Sequence, residues 1–208
     1  MSCVVAYDSG DGTIYLAGDS IGIDGNDYAI RKDKKVFIKN GMGFGFVGSF
    51  RIGQILRYVF KIPKQKENQS DYDYMCSTFI DSLCRCLKSK GFDPGEKNEL
   101  GELEFLVAYN GKIYHILCDF QVATYDIPYM AIGAGGKYAL GYLWGCSGSN
   151  NPIEDKVRLA LECSESFSAA VKPPFEVIKV EKMRNKLTEI SKKPRTNNKN
   201  EEKVTNIT

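Results

Sequence analysis

Residues 2–20 read SCVVAYDSGDGTIYLAGDS, two short apolar runs around a glycine-containing turn. Cys3 to Tyr7 and Thr13 to Ala17 are rich in β-formers, and DSGDG between them sets two glycines among Asp and Ser, the composition of a hairpin loop. A chain end is normally loose, so a strand that begins at once raises the question of what holds this terminus in place. The expectation is that the terminus itself is the reactive site.

A second hairpin follows, with Lys35 to Ile38 and Met42 to Val47 joined by Asn40-Gly41, a strong short-range hairpin signal. In FRIGQILRYVF, Ile52, Ile55, Leu56, Val59 and Phe60 recur at helical spacing. After a polar loop, Tyr72, Met75, Cys76, Phe79, Leu83 and Leu87 mark one face of a longer helix. Strands return in LEFLVAY and KIYHILCDF, which flank Asn110-Gly111. Beyond YMAIGAGG the pattern predicts helices from Tyr138 to Trp144 and from Pro152 to about Ala170, then a last strand, FEVIKVE. Strands, a helix pair, strands, a second helix pair and a strand fit neither a β-α-β alternation nor a bundle. The order predicts an α+β fold, a four-layer α/β/β/α sandwich of two antiparallel sheets covered by paired helices.

The chain has 208 residues, enough for one large domain, predicted over 1–183. Residues 184–208 are polar and charged, and predict a disordered tail. A net charge of +2 points to no nucleic-acid partner. Seven cysteines without a C-x-x-C or His-rich pattern are expected to be reduced thiols in a cytoplasmic protein, with no metal and no cofactor. No signal peptide is expected, and no apolar run approaches the ~20 residues that cross a bilayer.

His115, the only histidine, reads as a structural residue within its strand, so a histidine-based triad is set aside. GAGGKYALG from Gly133 follows a strand and opens a helix but lacks the third glycine of a dinucleotide fingerprint. The N-terminus offers coherent chemistry. Removal of Met1, expected before a small second residue, leaves Ser2 with a hydroxyl and a free amine on one residue. Such an amine has an ordinary pKa of about 7.7–8.0 and can take the hydroxyl proton directly or through water. The site also needs a positive charge to hold the amine neutral and favour the alkoxide, and a carboxylate to orient that charge. Lys35 in KDKKVF and Asp19 in LAGDS are the candidates, and three adjacent strands would bring them to Ser2.

These segments resemble the proteasome β-subunit and HslV family of N-terminal nucleophile hydrolases. The matching stretches are SCVVA at the nucleophile strand, LAGDS with Asp19 at the family's aspartate, KKVF with Lys35 at its lysine, and AIGAGGKYALG beside the HslV segment IGSGG. FVGSF resembles the glycine turn that supplies an oxyanion-hole N–H, which implies Gly48 or Ser49 in that role. The likeness runs over roughly residues 2–181. The opening residues and the helix from Phe50 are also similar to small phage-encoded proteasome-like proteins. Three departures stand out: Ser2 replaces the usual threonine, Ala134 replaces the serine of GSGG, and the family's late aspartate falls on Glu165 or Ser166. Cys3, on the opposite face of its strand from Ser2, is expected to pack rather than react.

The resemblance implies an N-terminal-nucleophile peptidase working as a ring of like subunits, acting on peptides or unfolded proteins and fed by an ATP-dependent unfoldase. Two alternatives stay open: a non-catalytic ring subunit, and a small-amide hydrolase on the same fold.

Overall fold

The structure, a computed structural model, describes residues 2–92 and 103–182. The expected domain boundary at 183 and the polar segment 184–208 lie outside the described residues. The opening hairpin forms as expected. β1 (Val4–Asp8) pairs antiparallel with β2 (Thr13–Gly18) in a register running from Val4↔Gly18 to Asp8↔Ile14. β10 (Tyr129–Ile132) and β11 (Glu176–Glu181) flank them, giving a four-stranded sheet ordered β10-β1-β2-β11.

The second sheet takes five strands in chain order: β5 (Val36–Lys39), β6 (Met42–Val47), β7 (Glu104–Tyr109), β8 (Lys112–Ile116) and β9 (Val122–Ala123). Both Asn-Gly pairs make their turns with positive φ at each residue, 49° and 79° at Asn40-Gly41 and 51° and 77° at Asn110-Gly111. Those are the dihedrals for which the Asn-Gly pair is selected. The run KIYHILCDF is shorter as a strand than its composition predicts. Strand β8 stops at Ile116, and the chain turns through Phe120, at φ 65°, into β9.

A two-stranded hairpin, β3 (Ile21–Asp24) and β4 (Asp27–Ile30), stands apart from both sheets. The sequence reading passed over it because every residue of β4 is exposed, so no buried face marks it.

Among the described residues, four helices cover these sheets. α1 (Phe50–Gln54) runs directly into a π-helical turn, Ile55–Val59. α2 comprises Asp71–Tyr74, a π-helical stretch Met75–Phe79 and Ile80–Lys88. Ser49 and Ser70 start these helices as N-caps, their hydroxyls accepting from the Ile52 and Asp73 N–H groups. α3 spans Gly136–Gly145 and α4 spans Ile153–Phe167.

Strand alternation sorts the core into three clusters. Cys3, just before β1, and Val5 and Tyr7 on it face α3 and α4, meeting Ala139, Leu143, Val157 and Leu161. Val4 and Ala6 face the other way and join Leu16, Val36, Val47 and Leu106 between the two sheets. On the far side of the five-stranded sheet, Phe44, Phe46 and Phe105 pack against Ile52, Ile55, Phe79 and Leu83. The glycines of β6 let the sheets approach closely: a Cβ on Gly45 would lie 2.5 Å from Val4 Cγ1. Because both faces of β1 are covered, it reads as a continuous apolar run rather than an alternating one.

Candidate active site

Asp19 is the first residue after β2, and Lys35 is the residue immediately before β5. The two therefore come from different sheets, which corrects the expectation of three adjacent strands. The intervening β3–β4 hairpin carries the chain from one sheet to the other, so Lys35 reaches Asp19 across the space between them. Their side chains are 1% and 0% exposed, and Lys35 Nζ lies 2.8 Å from Asp19 Oδ2 and 2.9 Å from Oδ1.

The surrounding backbone completes the polar network. The Cys3 N–H donates to Asp19 Oδ1 at 2.8 Å and the Ile21 N–H to Oδ2 at 3.0 Å. Lys35 Nζ also donates to the Ile21 carbonyl at 2.7 Å. One carboxylate thus ties the first peptide of β1 and the entry to the β3–β4 hairpin to a single ammonium. Burial pushes the Lys35 ammonium below the ordinary lysine range, and Asp19 pulls in the opposite direction.

Ser2 is buried beside this network, one residue before the Cys3 N–H that Asp19 holds. Val4 and Ala6 on β1 face the sheet interface, and Lys35 borders the same side, since a Cβ on Gly18 would meet Lys35 Cβ at 3.4 Å and Val4 Cγ2 at 3.6 Å; continued alternation would put the Ser2 side chain there too. Its carbonyl accepts from the Gly135 N–H at 3.1 Å. Gly133 has φ 84°, and a Cβ there would lie 2.5 Å from the Ser2 oxygen and 2.9 Å from Val47 Cγ1. The AIGAGG segment therefore clasps the start of the chain through backbone alone, and it brings the end of β6 to the same corner. Gly48 follows that end with φ 82°. Ser49 comes next, its hydroxyl engaged as the cap of α1.

Cys3 points away from this chemistry. Its Sγ lies 3.7 Å from Ser164 Oγ on α4, and burial pushes the thiol up to about 12. Of the two positions expected to carry the late acidic role, Glu165 reaches Lys172 at 3.5 Å and Ser166 folds back to the Glu162 carbonyl at 3.0 Å. The fully buried neighbour Ser164 faces inward instead and bonds the Gly135 carbonyl at 3.0 Å. Sequence reasoning did not select it, because a serine mid-helix carries no signal of its own. His115 is buried, with Nδ1 2.9 Å from the Tyr125 hydroxyl. Among the described residues, no group of three or more His, Cys, Asp or Glu is placed to hold a metal. Also among them, no helix is long and apolar enough to cross a membrane.

Two further residues border the ion pair and were not anticipated. Phe50, directly after Ser49, carries Lys35 Nζ at 5.6 Å from its ring centroid, and the Arg31 guanidinium at 3.9 Å. Neither is legible from local sequence, since the stack joins the end of the hairpin to the start of α1.

Comparison with protein-family descriptions and with curated proteins gives no match. Solved structures do match. A BPH from Thiobacillus denitrificans, in complex with epoxomicin, is 19% identical over 88% of this chain and 100% of that one, with a TM-score of 0.71. Eukaryotic HslV from Trypanosoma brucei is 19% identical over 86% of this chain and 99% of that one, with a TM-score of 0.63. The Anbu complex from Pseudomonas aeruginosa, described as a helical assembly, is 18% identical over 86% and 81%, with a TM-score of 0.59. At these identities the likeness speaks for the fold, and the chain folds as HslV and Anbu do, as the resemblance of its β1, Asp19 and Lys35 segments implied.

Proposed function

We propose that this chain is an N-terminal-nucleophile amide hydrolase, a peptidase in which Ser2 becomes both nucleophile and base once Met1 is released. The observation that carries the reading is the Asp19–Lys35 pair, buried between two sheets and hydrogen-bonded to the peptide that follows Ser2. Burying two charges is costly, and a pair of apolar side chains of similar volume would fill the space with equal or greater stability. A fixed positive charge beside a terminal amine has a chemical use: it lowers the amine pKa and favours ionisation of the hydroxyl.

In the proposed sequence, Ser2 Oγ attacks the substrate carbonyl carbon while the Ser2 amine takes its proton. The tetrahedral intermediate collapses as the amine gives that proton to the departing nitrogen, leaving an ester on Ser2. Water, deprotonated by the same amine, cleaves the ester and restores the hydroxyl. The Gly48 and Ser49 backbone is proposed to stabilise the oxyanion, where one donor contributes about 3–4 kcal/mol. Lys35 acts by its charge and Asp19 by holding Lys35 in place.

The arrangement of the three core clusters supports reading the fold as four stacked α/β/β/α layers. Assembly into a ring of like subunits, acting on peptides or unfolded proteins supplied by an ATP-dependent unfoldase, belongs to the same proposal. Exposed Trp144 on α3 and Phe167 on α4 are apolar surface that association would cover.

A second reading, a non-catalytic subunit of such an assembly, draws on Ala134, which leaves the clasp around Ser2 without the serine hydroxyl of the GSGG pattern. Hydrolysis of a panel of short peptide amides and simple acyl amides by the full chain, with Ser2→Ala in parallel, separates the readings. The proposal expects peptide cleavage that Ser2→Ala abolishes. Cleavage of acyl amides alone redirects it to small substrates, and no cleavage by a chain that begins at Ser2 favours the scaffold.

A further inference from the structure

The Phe50 ring has room to move. It forms a wall of two surface cavities, one of about 110 Å³ beside Asp33, Gly53 and Gln54, the other of about 270 Å³ beneath the β3–β4 hairpin, beside Ile23 and Tyr28. Phe46 meets the ring only edge-on, with centroids 5.8 Å apart. With open space on two sides, core packing alone does not enclose the ring at its place beside Lys35.

Arg31 supplies the restraint. Its guanidinium lies 3.9 Å from the Phe50 centroid and binds Asp33 through two bonds of 2.7 Å. Its backbone N–H donates to the Ser20 carbonyl at 2.8 Å, and its aliphatic arm lies over Gly22, where a Cβ would come within 2.6 Å of Arg31 Cδ. Two cations beside one ring would repel, but each brings its own carboxylate: Asp33 for Arg31 and Asp19 for Lys35.

We propose that Arg31 is a positioning residue of this site, holding the Phe50 ring over the Lys35–Asp19 pair so that the pair stays dry and aimed at Ser2. The inference rests on the reading given under Proposed function for its consequence in catalysis, but the shielding of Lys35 stands on geometry alone. The charged and titratable groups that act on Lys35 are Asp19, which binds it directly, Arg31 and the Cys3 thiol at longer range, the thiol lying on the other face of its strand, and, in the processed chain, the Ser2 amine. Burial and the Arg31 charge both hold the ammonium down, so removing Arg31 relaxes Lys35 upward on both counts.

Two measurements on the full chain test this separately. The first is lysine acetylation by an N-hydroxysuccinimide ester, followed residue by residue by mass spectrometry, with buried Lys156 on α4 as an internal control of folding. Lys35 should resist labelling in the wild type and react roughly tenfold or more faster in Arg31→Ala and in Phe50→Leu, while Lys156 stays protected. Arg31→Lys keeps the charge but not the planar fork, so protection should return only in part. The second is the rate of adduct formation with a peptide epoxyketone across pH. Arg31→Ala should slow it by about tenfold or more and move the alkaline limb to higher pH. Unchanged Lys35 labelling in both Arg31→Ala and Phe50→Leu overturns the proposal, as does an unchanged rate and pH profile in Arg31→Ala when the wild type reacts. A wild type that never reacts with the epoxyketone overturns the hydrolase reading, and the labelling result then decides the positioning claim by itself.

Discussion

Lys35 and Asp19 are stable inside the protein only as a pair, and that sets what substitutions do. Lys35→Met leaves a carboxylate buried without its cation, still bonded to two backbone N–H groups, and should cost about 3–5 kcal/mol in urea unfolding. Asp19→Asn/Lys35→Met together should recover much of that stability while leaving Ser2 unreactive, which separates the pair's chemical role from its structural one. Cys3 makes the opposite case. With its thiol pushed up to about 12, native protein treated with iodoacetamide at pH 8 should be labelled at exposed Cys76 and Cys118 and spared at Cys3. The sign of the linkage follows from the same shift. Above pH 9 the unfolded chain loses the Cys3 proton and the folded chain keeps it, so stability contributed by Cys3 is present below that pH and falls toward pH 12. Cys3→Ser should flatten the decline of stability between pH 9 and 11 by up to about 1.4 kcal/mol per pH unit, the value of one proton. Lys35, held down in the fold, works the other way over its own range, because the unfolded chain carries more protons there and stability rises with pH.

Among the elements, both opening hairpins and the four helices of the described residues were legible, because the glycine-rich DSGDG loop, the Asn40-Gly41 turn and the apolar spacing act over a few residues. What was not legible lies in contacts between elements. The β3–β4 hairpin buries no stripe of its own, yet its first residue, Ile21, both donates to Asp19 and accepts from Lys35. The identities of Ser2, Asp19 and Lys35 could be read from the chemistry they imply, whereas their approach from separate sheets is a property of the packing. Phe50 illustrates the same limit: helical spacing describes the residues around it, but only the fold brings Arg31 onto its ring. Helix α1 offers a direct test of this packing. A Cβ on Gly53 would lie 2.1 Å from Phe46 Cζ, so Gly53→Ala must displace the ring that touches Phe50. The substitution should destabilise by about 1–3 kcal/mol by urea denaturation despite alanine's better helix propensity, and it should also accelerate acetylation of Lys35.

For the molecule as a whole, two sheets face one another across an apolar interior, and the polar network occupies one end of it, where β1 begins, β2 ends and β5 begins. The fold is the one shared with HslV and Anbu, and the residues at this corner support the chemistry proposed for it. Association is predicted too: sedimentation should give a multiple of the monomer mass, with Trp144→Ser and Phe167→Ser weakening it if the α3–α4 face takes part. A monomer that reacts at Ser2 would separate the chemistry from any ring. The central claim is that Ser2 presents a hydroxyl and a free amine together. The most direct measurement is intact mass before and after exposure to a peptide epoxyketone, which needs both groups to close its ring adduct. The account predicts a chain lacking Met1 that gains one adduct, with none on Ser2→Ala; a retained Met1, a blocked amine, or a free Ser2 that stays unmodified would contradict it.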